Sequence, residues 1–262
     1  MNINDFRYLW RGKTIQGVSS ADAGLLNGIS YHNGHKKRAL LLLHGYSSSP
    51  AVYRELIPDL INLYDAVVCP VLPGHGESLE AFAKATGQQW FAAAEQSLSR
   101  LDKHYNAVDV MGLSLGGVLA CHLSHLFPIR HLYLLAPALV LRLNIPPYLK
   151  LARILKRLGF QYLRNHAGNL LTRRSAELAY RQLPITSIIE ILTVIQEFKF
   201  NPPPCPVDVF LGKHDQVINS EQVEQLFANQ PNTNIHWLDR SAHVLPLDGD
   251  IDTILARVKS NF

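Results

Sequence analysis

The sequence predicts an α/β fold: a mostly parallel sheet with helices on both faces, interrupted once by an inserted helical cap. Three observations carry this. Almost wholly apolar runs such as RALLLL (38–43), AVVCPVL (66–72) and HLYLLA (131–136) read as strands buried on both faces. Between them lie stretches with apolar residues at helical spacing, and strand alternating with helix implies parallel pairing through crossover helices. Residues 138–200 break the alternation, which resumes at 207.

Taken in order, the first 37 residues suggest only a short strand near Phe6–Trp10. The run 38–43 leads into HGYSSSP, where Ser49 suits a helix cap and Pro50 a first helical position. Val52, Leu56, Leu60 and Leu63 recur at helical spacing and predict a helix over 50–63. The strand 66–72 ends in the glycine-rich loop PGHGES. A helix at 88–104 follows, with Trp90, Phe91, Ala94, Leu98 and Leu101 on its apolar stripe. AVDVMG (107–112) is the third strand, 115–126 a helix, and 131–136 the fourth strand, stopped by Pro137. Residues 138–200 show no clear strand and read as helical near 147–158, 172–182 and 185–198. The rhythm returns with VDVFLG (207–212), a helix at 219–229, NIHWL (234–238) and a last helix at 248–259. The chain therefore divides into a core of 1–137 and 201–262 and a cap of 138–200.

Composition narrows the class. The 262 residues are 47% hydrophobic and 18% charged, enough to bury one sizeable core. No apolar run approaches the ~18 residues of a spanning helix. The segment MNINDFRYLWRGKT lacks a basic-then-apolar secretory pattern. Cys69, Cys121 and Cys205 are odd in number and sit among apolar residues or prolines, so buried free thiols and a cytoplasmic location are expected.

The net charge of +4 is unevenly placed: Ala138–Phe200 holds ten Lys or Arg against three Glu and no Asp. Arg142, Lys150, Arg153, Lys156, Arg157 and Arg164 accompany Leu149, Leu151, Ile154, Leu155, Leu158 and Phe160, a basic amphipathic pattern. The expected arrangement is a solvated charged face whose apolar side covers the pocket. Peripheral contact with an anionic membrane is the alternative. Few aromatics interleave with the charge, which argues against nucleic acid as a partner. Nothing in the pattern specifies an oligomeric state.

The chemistry centres on Gly112-Leu113-Ser114-Leu115-Gly116, a G-x-S-x-G sequence with a buried strand before it and a helix after it. Five letters alone can arise by chance; the strand and helix give them meaning. A serine hydroxyl needs a base to take its proton, and the base needs an orienting acid. On this architecture the chain order is Ser, acid, His. Asp215 lies just beyond VDVFLG and His243 just beyond NIHWL, at strand ends where a parallel sheet gathers functional groups. His214 and Asp239 are rivals for the acid's place, and Asp239 lies too close to His243 to serve from a separate loop. His125 and His131 precede the acid, His166 is in the cap and His236 is mid-strand, which leaves His243 as base. The oxyanion formed by attack needs two donors, expected to be the backbone N–H groups of Leu115 and of Tyr46. His44 and His75, each beside glycine, are expected to hold backbone rather than do chemistry.

The stretches LLLHGYSSSP, PGHGES, DVMGLSLGGVLA, GKHDQVIN and SAHVLPLD resemble the α/β-hydrolase superfamily, most closely its bacterial carboxylesterase and monoacylglycerol-lipase branch. The likeness runs over 39–250, although 138–200 matches only in being a cap. It implies Ser114 as nucleophile, Asp215 as acid, His243 as base, and Tyr46 and Leu115 as oxyanion donors. It also implies a small helical cap over the serine and hydrolysis of short- to medium-chain acyl esters or monoacylglycerols through an acyl-enzyme. The expected partner is thus a small, lipid-derived ester, with no metal or organic cofactor. Thioesterases and carbon–carbon bond hydrolases share these residues, and a ligand-binding member without catalysis would share the fold. Dehalogenases and epoxide hydrolases of this fold use a carboxylate where Ser114 stands. The basic cap departs from the family pattern, and substrate identity turns on it.

Overall fold

A seven-stranded sheet organises the molecule, and its inner strands are the runs that are apolar on both faces. The computed structural model describes all 262 residues, Met1–Phe262. The N-terminal part contributes β1 (Phe6–Trp10), β2 (Lys13–Gly17), β3 (Ile29–His32) and β4 (Arg38–Leu43). Next come α1 (Ile57–Leu63), β5 (Ala66–Cys69), α2 (Leu79–Lys84), α3 (Gly87–Asp102) and β6 (Ala107–Leu113). Then follow α4 (Leu115–Ser124), β7 (His131–Leu135), α5 (Ile145–Arg157), β8 (Tyr162–Arg164), β9 (Glu177–Tyr180) and β10 (Gln182–Pro184). The chain closes with α6 (Ile185–Glu197), β11 (Val207–Gly212), α7 (Ser220–Phe227), β12 (Thr233–Leu238) and α8 (Ile251–Ser260).

The large sheet has the order β12-β11-β7-β6-β4-β5-β3. All its pairings are parallel except that of β3 with β5. Residues Ala39–Leu43, His131–Leu135 and Val207–Gly212 are buried throughout, as strands covered on both faces must be. All three cysteines are buried free thiols, and no helix is long and apolar enough to cross a membrane.

Two local expectations need correction. The helix expected over 50–63 is broken into a 3-10 turn, Pro50–Tyr53, and α1. Pro58 has no N–H to give to the carbonyl four residues back and its ring crowds that turn, so a helix can only restart around it. The strand expected over 66–72 stops at Cys69, before Pro70, for the same lack of a donor.

The larger correction concerns 138–200, expected to hold helical stretches and no strand. It holds helices α5 and α6, but also three short strands. The stretch 172–182, read as helical, contains β9, which pairs antiparallel with β1 from Phe6↔Tyr180 to Leu9↔Glu177. Alanine, leucine and glutamate favour a helix locally. The open edge of β1 offers a ladder of backbone hydrogen bonds instead, and all four β9 residues become buried there. Long-range pairing outweighs the local preference. The β1–β2 hairpin turns at Arg11-Gly12, both at positive φ (48° and 69°), as a two-residue turn of this hand requires. The N-terminal residues thus hold β9 in place.

Candidate active site

Ser114 stands at the junction of β6 and α4 with φ 55° and ψ −113°, a conformation that costs a non-glycine residue about 1–3 kcal/mol. Close packing enforces it. A Cβ on Gly112 would lie 2.2 Å from the Gly116 carbonyl oxygen, and one on Gly116 would lie 1.9 Å from that of Leu43. Neither position can carry a side chain. Ser114 N–H donates to Leu135 O (3.0 Å), while Ser114 O accepts from Gly117 N–H (2.9 Å) and Ala138 N–H (3.0 Å). The strained turn is thereby tied to β7 and to the segment that follows it.

The loops after β11 and β12 bring Asp215 and His243 to this serine. Asp215 Oδ1 accepts the N–H groups of Val217 (2.7 Å) and Ile218 (3.0 Å), which fixes the carboxylate on its own loop. Its Oδ2 accepts from His243 Nδ1 at 2.7 Å. With that proton on Nδ1, Nε2 is the acceptor, and Ser114 Oγ lies 2.9 Å from it. Burial works against a charged imidazole here, but the Asp215 charge and hydrogen bond, with Glu177 adding, outweigh it and raise the His243 pKa above its ordinary 6.5.

Of the rival residues, His166 lines the same cavity, but His243 is the imidazole that bridges Asp215 and Ser114; the others lie elsewhere. Exposed His214 contacts the Asp239 carbonyl, and Asp239 pairs with Lys213. His125 contacts Asn201, and His131 and His236 both bind Asp208.

The structure brings Tyr46 beside Ser114 in the cavity wall, with Leu115 buried behind the serine. Neither the Tyr46 N–H nor the Leu115 N–H has a partner among the hydrogen bonds of these loops. His44 and His75 brace the Tyr46 loop. His44 Nε2 accepts from Leu72 N–H (3.1 Å) and His75 Nε2 from Ser47 N–H (3.2 Å), while each Nδ1 faces a backbone carbonyl. Burial holds both imidazoles neutral, lowering His44 to about 4 and His75 well below the ordinary imidazole value. The Tyr46 hydroxyl bonds Ser187 Oγ (2.8 Å), and Ser187 in turn donates to Pro184 O (2.8 Å), so Tyr46 donates to Ser187 and anchors its loop to α6.

Above the serine lies a mostly apolar cavity of about 420 Å³, within the range of small-ligand sites. Leu141, Leu183, Ile188, Ile191, Leu192 and Ile195 form its apolar wall.

Two residues of this site carry no sequence signature. Glu177 on β9 is a buried carboxylate in the cavity wall, its Oε2 accepting Gly168 N–H at 2.7 Å. Burial raises its pKa. Asn169 ties the two loops together: its carbonyl accepts the N–H groups of His243 (3.0 Å) and Val244 (3.2 Å), and its Oδ1 accepts from Gln216 N–H (3.1 Å). One sign was available for Glu177. It is the first carboxylate after Asp109, at the end of a long stretch holding only basic charge.

Comparison with known proteins gives the family. A sequence profile of the α/β hydrolase family matches residues 40–255, and the chain belongs to that family. It is 27% identical over 224 residues to a thermostable monoacylglycerol lipase of Bacillus sp. (strain H-257), covering 83% of this chain and 87% of the relative. It is 24% identical over 227 residues to a carboxylesterase of Bacillus subtilis (strain 168), covering 83% and 89%. Among solved structures, one from a study of two metagenome-derived lipolytic enzymes superposes with a TM-score of 0.80 at 23% identity, over 90% of this chain and 96% of that one.

Proposed function

We propose that this protein is a carboxylic-ester hydrolase working through an acyl-enzyme on Ser114. The observation that carries the reading is the continuous relay from Asp215 Oδ2 through His243 to Ser114 Oγ, with contacts of 2.7 and 2.9 Å, at the floor of an apolar cavity. His243 Nε2 takes the hydroxyl proton as Oγ attacks the ester carbonyl. Asp215 holds the imidazole in the required tautomer and stabilises its cation. The Tyr46 and Leu115 N–H groups receive the oxyanion, each such donor being worth about 2.7–4 kcal/mol. Collapse passes the His243 proton to the leaving alcohol. Water then attacks the acyl-enzyme, again through His243, and returns the free serine and a carboxylic acid.

Residues 138–200 act as the cap, and α6 supplies its apolar lining. The cavity suits a short- to medium-chain acyl group or a monoacylglycerol. Of the two Bacillus relatives, one is named a monoacylglycerol lipase and the other a carboxylesterase, which supports an ester substrate. An acyl series of p-nitrophenyl esters from acetate to dodecanoate tests it. Wild type is expected to turn over the butyrate-to-decanoate range best, and Ser114→Ala to lose at least about 10⁴-fold in kcat with an unchanged fold. Turnover surviving in Ser114→Ala sinks the mechanism. Acyl thioesters of matched length cleaved far faster than the oxygen esters would reassign the enzyme as a thioesterase.

A further inference from the structure

Helix α5 is apolar on two opposite faces, and only one of them is covered. Leu149 and Ala152 are buried against the body of the molecule. On the opposite side Leu151, Ile154 and Leu158 recur at three- and four-residue spacing, 50%, 42% and 69% exposed. Phe160, just beyond the helix, is 54% exposed. The expectation that the apolar side of this helix covers the pocket is therefore corrected. No α5 residue lines the cavity, which α6 walls instead. A helix needs one buried stripe to stay folded, so the second has no structural use in the isolated chain.

The charge around that stripe is one-sided. Lys150, Arg153 and Arg157 run along one side of it at the same three- and four-residue spacing. None of the three is in an ion pair. Between Asp109 and Glu177 the chain has no carboxylate at all. The face is also joined to the cavity. Leu143, two residues before α5, and Leu163, in β8, are exposed and line the cavity as well.

We propose that this α5 face docks the protein on an anionic lipid bilayer, with Leu151, Ile154, Leu158 and Phe160 entering the acyl boundary and Lys150, Arg153 and Arg157 on the headgroups. An apolar stripe flanked by unpaired cations fits a negatively charged membrane surface, where both kinds of contact are satisfied together. The Leu143 and Leu163 rim then faces the layer from which a lipid-derived ester would leave. This surface adds a partner to the ester-hydrolase reading, and its binding test does not depend on that reading.

The test is flotation of the full chain with vesicles of phosphatidylcholine alone or mixed with phosphatidylglycerol, alongside hydrolysis of water-soluble p-nitrophenyl butyrate. Wild type should float with the anionic vesicles, bind neutral ones far less, and be released by about 0.5 M salt. Lys150→Glu with Arg153→Glu and Arg157→Glu should lose at least about ten-fold in partitioning, since each cation near such a surface contributes. Leu151→Ser with Leu158→Ser should weaken binding without changing its salt dependence. Both variants should hydrolyse the soluble ester as wild type does, which shows them folded. No flotation of wild type, equal binding to neutral vesicles, or full binding by the charge-reversed variant overturns the proposal. Concentration-dependent dimerisation abolished by Leu151→Ser, without vesicle binding, would assign the face to a second copy of the chain instead. Loss of soluble-ester hydrolysis by wild type would count against the ester reading alone.

Discussion

Strand β11 has a buried carboxylate bound to histidine near each end, and the two differ in what they leave free. At its start, Asp208 accepts from His131 (2.7 Å) and Asn261 (2.7 Å) on Oδ2, and from His236 (2.7 Å) and Arg257 (2.8 Å) on Oδ1. Burial alone would raise its pKa, but these four donors hold it well below the usual carboxylate range. Every lone pair is spent, and Asp208 takes no part in lining the cavity over Ser114. Just past the other end, Asp215 accepts two backbone N–H groups and one histidine, and that histidine keeps Nε2 for Ser114 at the cavity floor. A carboxylate–histidine contact is therefore not a site by itself. What distinguishes the Asp215 end is an acceptor left unspent beside a strained hydroxyl and an empty volume.

The contrast can be broken by mutating each end. Asp215→Asn should cut kcat by about 10⁴-fold, because an amide favours the wrong His243 tautomer, with little change in Tm. Asp208→Ala should do the reverse, costing about 3 kcal/mol of stability by stranding Arg257 and two histidines, with kcat/KM per folded molecule within about two-fold of wild type. Denaturant unfolding and steady-state kinetics on both variants decide this. Similar losses of activity at the two ends would remove the distinction.

A smaller effect sharpens it. On the proposed mechanism catalysis requires neutral His243, and its pKa is raised, so kcat/KM should fall as pH drops through a value above 6.5. Glu177 contributes to that rise, so Glu177→Gln should move the acid limb to lower pH. A limb that stays put would show that Glu177 does not act on the base.

Much of this was legible in the sequence because the site hangs from strand ends. The apolar runs of β6, β11 and β12 can be seen directly, and Ser114, Asp215 and His243 follow each at a short distance. Tyr46 is readable in the same way from β4. Glu177 was not, because β9 exists only through its pairing with β1, far away in the chain, while its own residues favour a helix. Asn169 acts largely through its backbone carbonyl, which no side-chain pattern reveals. The periodicity of α5 showed that the helix is amphipathic, but periodicity cannot say which stripe meets α6 and which meets solvent.

The central claim is that Ser114 is the nucleophile. A fluorophosphonate probe tests it most directly, because it bonds to an activated serine Oγ with loss of fluoride. Peptide mapping after reaction should place one adduct per chain on Ser114, with none in Ser114→Ala and strongly slowed labelling in His243→Ala. An adduct on another serine, or ester hydrolysis that persists after full labelling of Ser114, would contradict the account.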